Sequence, residues 1–115
     1  MAREGVGAVD VAGSPFFDTY RAKIIALARQ NRVPAIYHFR EYPAGGGLMS
    51  YGIDIGDVHH QLGRYVGRIL KGAKPADLPI MQPSKFEFVI NAKTANELEL
   101  TIPSGVLAIA DEVLE

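Results

Sequence analysis

Residues 6–39 carry the strongest constraint in the chain: a short apolar run, a capped amphipathic segment and a second apolar run, in that order. VGAVDVA (6–12) predicts a buried strand. Ser14 then offers an N-cap oxygen. Pro15 suits the first helical position, because its missing N–H would be unpaired there anyway. Apolar residues at 17, 20, 24, 27 and 28 form a helical stripe. Asn31 closes that helix, and Val33-Pro34 bars its continuation. PAIYHF (34–39) predicts a second strand. Strand, helix and strand joined by short turns make a βαβ unit, which implies a parallel pair with a right-handed crossover.

The rest of the chain extends the same alternation. Residues 40–46 read as a polar, glycine-rich loop and GLMSYG (47–52) as a third strand. Asp54 or Asp57 then caps a helix to residue 71, with a stripe of Val58, Leu62, Tyr65, Val66, Ile69 and Leu70, and Gly72 ends it. AKPADLPIMQPS (73–84) has no period and reads as an extended connection, long for one compact layer. KFEFVI (85–90) alternates like a strand. Asn91 caps a short helix, TIPSG is a turn, and Ser104 caps a last helix running through Val113 and Leu114. Four strands alternating with helices predict an α/β fold: a mostly parallel, Rossmann-like sheet with flanking helices.

Bulk chemistry narrows the function. At 115 residues the chain is one domain's worth, and 48% hydrophobic with 22% charged residues is a globular balance. A net charge of −1 gives no basic excess for nucleic acid. With no cysteine there is no disulfide, thiolate metal site or thiol catalysis. No apolar run approaches the ~18 residues of a membrane span. MAREGVGAVDVAG has one Arg and no leucine-rich core, so it does not read as a signal peptide. The chain made as written is therefore expected in the cytoplasm.

The glycine stretch GGGLMSYGID (45–54) invites a phosphate-loop reading, which its details remove. No Gly-Lys-Ser/Thr follows, and the third glycine of a G-x-G-x-x-G would fall on Ser50. His59 and His60 are adjacent on a helix and point apart, so they cannot share a metal. His38 lies near the end of a strand, where α/β folds place ligands. Ser14, after the first strand, is a helix cap in a position suited to a ligand carboxylate. Phe16, Phe17, Tyr37, Tyr42 and Tyr51 gather near strand ends. They offer either an aromatic lining for a small ligand or ordinary core packing, core packing above all for Phe17. No catalytic spacing is present, so no enzyme activity, metal or cofactor is expected.

Three longer pieces, GGLMSYG (46–52), GRILKGAKPADLP (67–79) and KFEFVINAKTANELELTIP (85–103), carry a family resemblance. The chain resembles the back portion of ABC-transporter substrate-binding proteins of the tryptophan/tyrosine-uptake type, and the likeness covers nearly all of it. The resemblance implies a partial type I periplasmic-binding-protein fold, in which two Rossmann-like lobes close on a small organic solute such as an amino acid. It implies that residues 6–42 and 85–103 belong to the second lobe, 47–72 to the first, and that 43–46 and 73–84 are hinge crossings. It also implies ligand contacts from Ser14, Phe16, Tyr37, His38, Ser50, Tyr51 and Asp54.

The family is periplasmic and works with an ABC permease. A truncated portion of it is expected to cover its open apolar faces by forming a homo-oligomer, with copies exchanging elements. The chain departs from the family in reading GSPFF for Ser-Asp-Pro-Phe-Phe and in placing Glu99 where relatives carry Gly after a helix, a left-handed position that suits Gly. The alternatives are a stand-alone α/β oligomer with a structural or regulatory role, and an enzyme using His38 with Asp54.

Overall fold

The structure, a computed structural model, describes residues 4–115. Its sheet has five strands in the order β1 (Val9–Val11), β2 (Ala35–Tyr37), β3 (Met49–Ile53), β4 (Phe86–Asn91) and β5 (Glu112–Leu114). β1 pairs in parallel with β2, β2 with β3, and β4 with β5. Between β3 and β4, Asn91 N–H donates to Leu48 O and Asp54 N–H to Lys85 O. The partners' numbers run in opposite senses, so this one pair is antiparallel.

Sequence chemistry sets most of the helix starts. Ser14 caps α1 (Pro15–Thr19), accepting from Phe16 N–H at 3.3 Å. The expected helix 15–31 breaks at Tyr20, and α2 (Arg21–Gln30) continues to the expected stop at Asn31. A short α3 (Glu41–Ala44) precedes β3. Asp54, rather than Asp57, caps α4 (Ile55–Leu70): its Oδ1 accepts from Asp57 N–H at 3.0 Å. The connection 73–84 is extended apart from a single 3-10 turn at Pro75–Asp77. Asn91 caps α5 (Ala92–Glu97) through Thr94 N–H.

The end of the chain departs from the expectation. α6 (Ser104–Ile109) stops short, its N-cap is Pro103 rather than Ser104, and residues 112–114 form the fifth strand. Asp111 explains the stop. Its N–H donates to Phe88 O, and its carboxylate accepts from Phe88 N–H at 2.7 Å, fastening the chain alongside β4.

The chain forms two compact units. The first holds residues up to Gly52 together with Glu87–Glu115; the second holds Ile53–Phe86. The first has a true core, with Ile25, Ala35, Tyr37 and Tyr42 in one cluster and Val89 and Ile90 fully buried as well. The Tyr37 and Tyr42 rings stack at 4.5 Å. In the second unit no residue is fully buried.

The glycine loop 45–47 is closely packed. A side chain at Gly47 would meet the Tyr42 carbonyl at 2.9 Å and the Tyr37 ring at 2.8 Å. Asn91 Nδ2 donates to Pro43 O, and Thr94 Oγ1 to Gly46 O. Residues 43–46 are thus packed inside the first unit, and β3 stays with that unit as far as Gly52. The chain passes between the two compact units within β3 and at the start of β4.

Candidate functional site

Parallel pairing brings the carboxyl ends of β1, β2 and β3 to one edge of the sheet, the edge where open α/β sheets take ligands. Gly13 follows β1 and His38 follows β2. They touch so closely that a Cβ on Gly13 would lie 3.1 Å from the imidazole. Asp18 of α1 faces the same ring, with Oδ1 3.4 Å from His38 Nε2. Tyr42 of α3 donates its hydroxyl to Asp18 Oδ1 at 2.8 Å. Neither His38 ring nitrogen hydrogen-bonds to a described residue, although both are sheltered from solvent. Phe39 and Tyr42 flank the ring at 4.1 and 5.5 Å.

Burial and the bond to Asp18 push the Tyr42 phenol up to about 12, because ionisation would put a second negative charge beside the carboxylate in the core. Burial raises Tyr37 as well.

Exposed aromatic rings stand on the α1 stretch and on β3. Phe16 is 65% exposed and packs against Tyr20 at 5.0 Å and Phe17 at 5.9 Å. Tyr51 of β3, 57% exposed, meets Phe88 edge-on at 6.3 Å. Arg40, just past β2, pairs with Glu87 of β4 at 2.9 Å and with Glu112 of β5 at 2.6 Å.

The structure sorts the seven residues expected to touch a ligand. Ser14, Phe16 and His38 lie together at the carboxyl ends of β1 and β2, and Tyr51 lies on β3. Tyr37 and Ser50 are each only 1% exposed. Strand alternation turns both into the interior of the first unit. Asp54 belongs to the second unit and is occupied there, capping α4 and pairing with Lys85 at 3.2 Å. These contacts, the Asp57 N–H foremost, hold its carboxyl below the usual range. Asp18 escaped the sequence reading. The available signal was its place four residues after the Ser14 cap, on the turn that returns toward the strand ends. Among the described residues no three of His, Asp, Glu and Cys are placed to hold a metal ion, and no helix is long and apolar enough to cross a membrane.

Residues 4–114 match the family described as ABC transporter substrate binding protein. The chain belongs to that family. No curated protein matches it. Among solved structures it is similar to a conserved domain protein from Vibrio cholerae, with 27% identity, a TM-score of 0.89, and 97% of this chain and 38% of that one covered. It is similar also to the ABC domain in complex with L-Trp from Streptococcus pneumoniae, with 32% identity, a TM-score of 0.88, and 96% and 38% covered. A ligand-free, open substrate-binding protein with adhesive properties from Clostridium difficile shares the fold, at 19% identity and a TM-score of 0.66. The chain spans about two-fifths of the length of these proteins. The family and the α/β sheet implied by the resemblance are therefore both found.

Proposed function

We propose that this substrate-binding chain holds a small organic solute, an amino acid with an aromatic side chain foremost, at the carboxyl ends of β1 and β2. The observation that carries the reading is the Asp18–His38–Tyr42 group at the carboxyl ends of the first two strands, with the exposed Phe16–Tyr20 pair in the same short stretch of chain as Asp18. Rings present a flat apolar surface, and the polar group beside them fixes orientation. Support for the solute class comes from the Streptococcus relative with L-Trp bound. Ser14, Phe16 and His38 make the contacts in this reading, with Tyr51 at the rim and Tyr37 and Ser50 as support. The role is binding without catalysis, in service of an ABC permease. His38 has Asp18 for its near carboxylate, and Asp54 is engaged with α4 and Lys85, which argues against a His38–Asp54 catalytic pair. Self-association of the chain belongs to the same proposal.

Because the chain spans two-fifths of its relatives' length, it is expected to bind alone only weakly, with a Kd above the micromolar range. Titration with L-Trp, followed by backbone amide NMR shifts, suits weak binding. Shifts clustered on residues 13–20 and 38–42, absent in Phe16→Ala, are the expected result. Shifts scattered over the chain, or none at millimolar L-Trp, would overturn the site. The chain contains no Trp, so fluorescence anisotropy of the ligand gives an independent reading. Sub-micromolar binding would refute the expected weakness.

A further inference from the structure

We infer that Asp18 selects the solute by its amine: primary amines, cationic or zwitterionic, are held at this carboxylate, and the matching acids without an amine are refused. The inference rests on the solute-binding reading of the same group and names the residue that reads the solute's charge. The Asp18 side chain is 32% exposed, so a solute can reach it. Its Oδ1 accepts from the Tyr42 hydroxyl at 2.8 Å and lies 3.4 Å from His38 Nε2. Its Oδ2 accepts from no described residue.

The other ion-paired carboxylates of the first unit each meet a full cation. Glu87 and Glu112 share Arg40, Glu97 holds Arg29 and Glu99 holds Arg32. Asp18 faces only an imidazole. No Lys or Arg among the described residues pairs with it, although the Arg21 guanidinium stands 6.0 Å from the centre of the Tyr42 ring. A carboxylate partly withdrawn from water calls for an opposite charge in its place. Tyr42 does not supply one. Its phenol, pushed up to about 12, stays neutral and fixes Oδ1 without cancelling the charge. His38 is the second mark of a missing partner: both its ring nitrogens are sheltered from solvent, and neither hydrogen-bonds to a described residue.

An ammonium group meets both needs, because it brings a unit positive charge and three N–H donors. A metal ion does not fit, since no three ligating side chains are grouped among the described residues. An anion would meet Asp18 charge against charge. A site built to pair a solute N–H rejects the analogue that lacks it, because its own polar atoms are then left unpaired. The carboxylate of an amino acid is read less strongly here. Arg40, the cation just past β2, is already engaged by two glutamates. An aromatic amine without a carboxylate should therefore bind this chain at least as well as the amino acid.

The test is a set of amide NMR titrations of the full chain with L-Trp, tryptamine and indole-3-propionate, which share the indole and differ in charge. L-Trp and tryptamine should shift residues 13–20 and 38–42, and indole-3-propionate should bind at least ~10-fold more weakly. Asp18→Asn keeps the side chain's shape and an acceptor for Tyr42 but removes the charge. It should weaken tryptamine and bring the three compounds close together. Asp77→Asn removes the same charge from the second unit and should leave their ranking unchanged. Binding of indole-3-propionate as tight as that of L-Trp to the natural chain would overturn the inference, whether or not the Asp18 variant folds. A ranking that survives in a folded Asp18→Asn would also overturn it. In both of these outcomes the solute site stands and only its reader is wrong. If none of the three compounds shifts residues 13–20 and 38–42, the solute-binding reading fails and the inference falls with it.

Discussion

The two units bury their apolar residues to opposite degrees. In the first, Tyr37, Tyr42, Val89 and Ile90 are at most 1% exposed. In the second, the stripe of a 16-residue helix stays open. Both segments have the hydrophobic periodicity of a core-facing element. Periodicity reports that a face is to be buried, but not what buries it. In the first unit the partner is present: β2 lies between β1 and β3, and Tyr42 of α3 stacks on Tyr37 of β2. In the second no residue is fully buried, so α4 draws its stability mainly from its caps and its own hydrogen bonds.

Truncation tests this contrast most strongly. Tyr42→Ala removes a fully buried ring from its stack with Tyr37, and it should cost about 3–5 kcal/mol. Leu62→Ala, at concentrations where the chain is monomeric, should cost less than about 0.5 kcal/mol. Urea unfolding of both variants gives the comparison directly. Equal losses would mean that the α4 stripe is covered in solution and would erase the difference between the units.

Alkaline pH probes the first unit alone. The folded Tyr42 phenol titrates at about 12 against an ordinary value of 10.0. The neutral form is the one the fold prefers. The stabilisation is therefore complete below pH 10 and is lost as pH rises from about 10 to about 12. A shift of this size corresponds to about 2–3 kcal/mol. Burial of Tyr37 works in the same direction. Urea midpoints taken from pH 9 upward should fall in the natural chain and fall less steeply in Tyr42→Phe. Parallel curves would show that the phenol is not the source.

Two glycine substitutions should have opposite signs. A Cβ on Gly52 would stand 1.9 Å from the His38 carbonyl, so Gly52→Ala must push β2 and β3 apart, at a cost of about 1–3 kcal/mol. A Cβ on Gly63 meets nothing within 4 Å, and Gly63→Ala should stabilise α4 by about 0.5–1 kcal/mol. Thermal melts of both variants check the pair of signs, and destabilisation by Gly63→Ala would mean that the space beside Gly63 is already filled.

These residues also show what the sequence could reveal. Caps were legible, because Ser14, Asp54 and Asn91 act through bonds only two or three residues long. The βαβ start and α4 were legible through their periods. β5 was not. Val106, Leu107, Ile109, Val113 and Leu114 satisfy a helical stripe, and only the distant fastening of Asp111 to Phe88 extends the last of them. The site divides in the same way. Sequence order brought Ser14, Phe16 and His38 to strand ends, but which way Tyr37 and Ser50 face depends on the sheet's burial on that side. The contact of Gly47 with the Tyr42 backbone and the Tyr37 ring was not legible, because it exists only once the loop has closed.

Three helices of this chain end in the same geometry, and they differ in the residue that must turn left. After α4 the left-handed residue is Gly72, at φ 106. After α2 it is Arg32, at φ 51, and after α5 it is Glu99, at φ 57. In each, the next N–H reaches back to the third-last helical carbonyl: Ala73 to Arg68, Val33 to Ala28 and Leu100 to Ala95. An L-residue pays about 1–2 kcal/mol in that conformation, and Gly does not. Arg32 and Glu99 recover part of the cost by pairing with each other at 3.6 Å, but both are well exposed, and such pairs give at most about 1 kcal/mol. Arg29 and Glu97, one turn earlier, form a second pair that the substitution leaves intact. Glu99→Gly should therefore raise stability by about 0.5–1 kcal/mol, seen as a higher urea midpoint at unchanged slope. In 1 M salt, where the Arg32–Glu99 attraction is screened, the gain should grow. A loss of stability in low salt that vanishes in high salt would show instead that the ion pair outweighs the backbone strain.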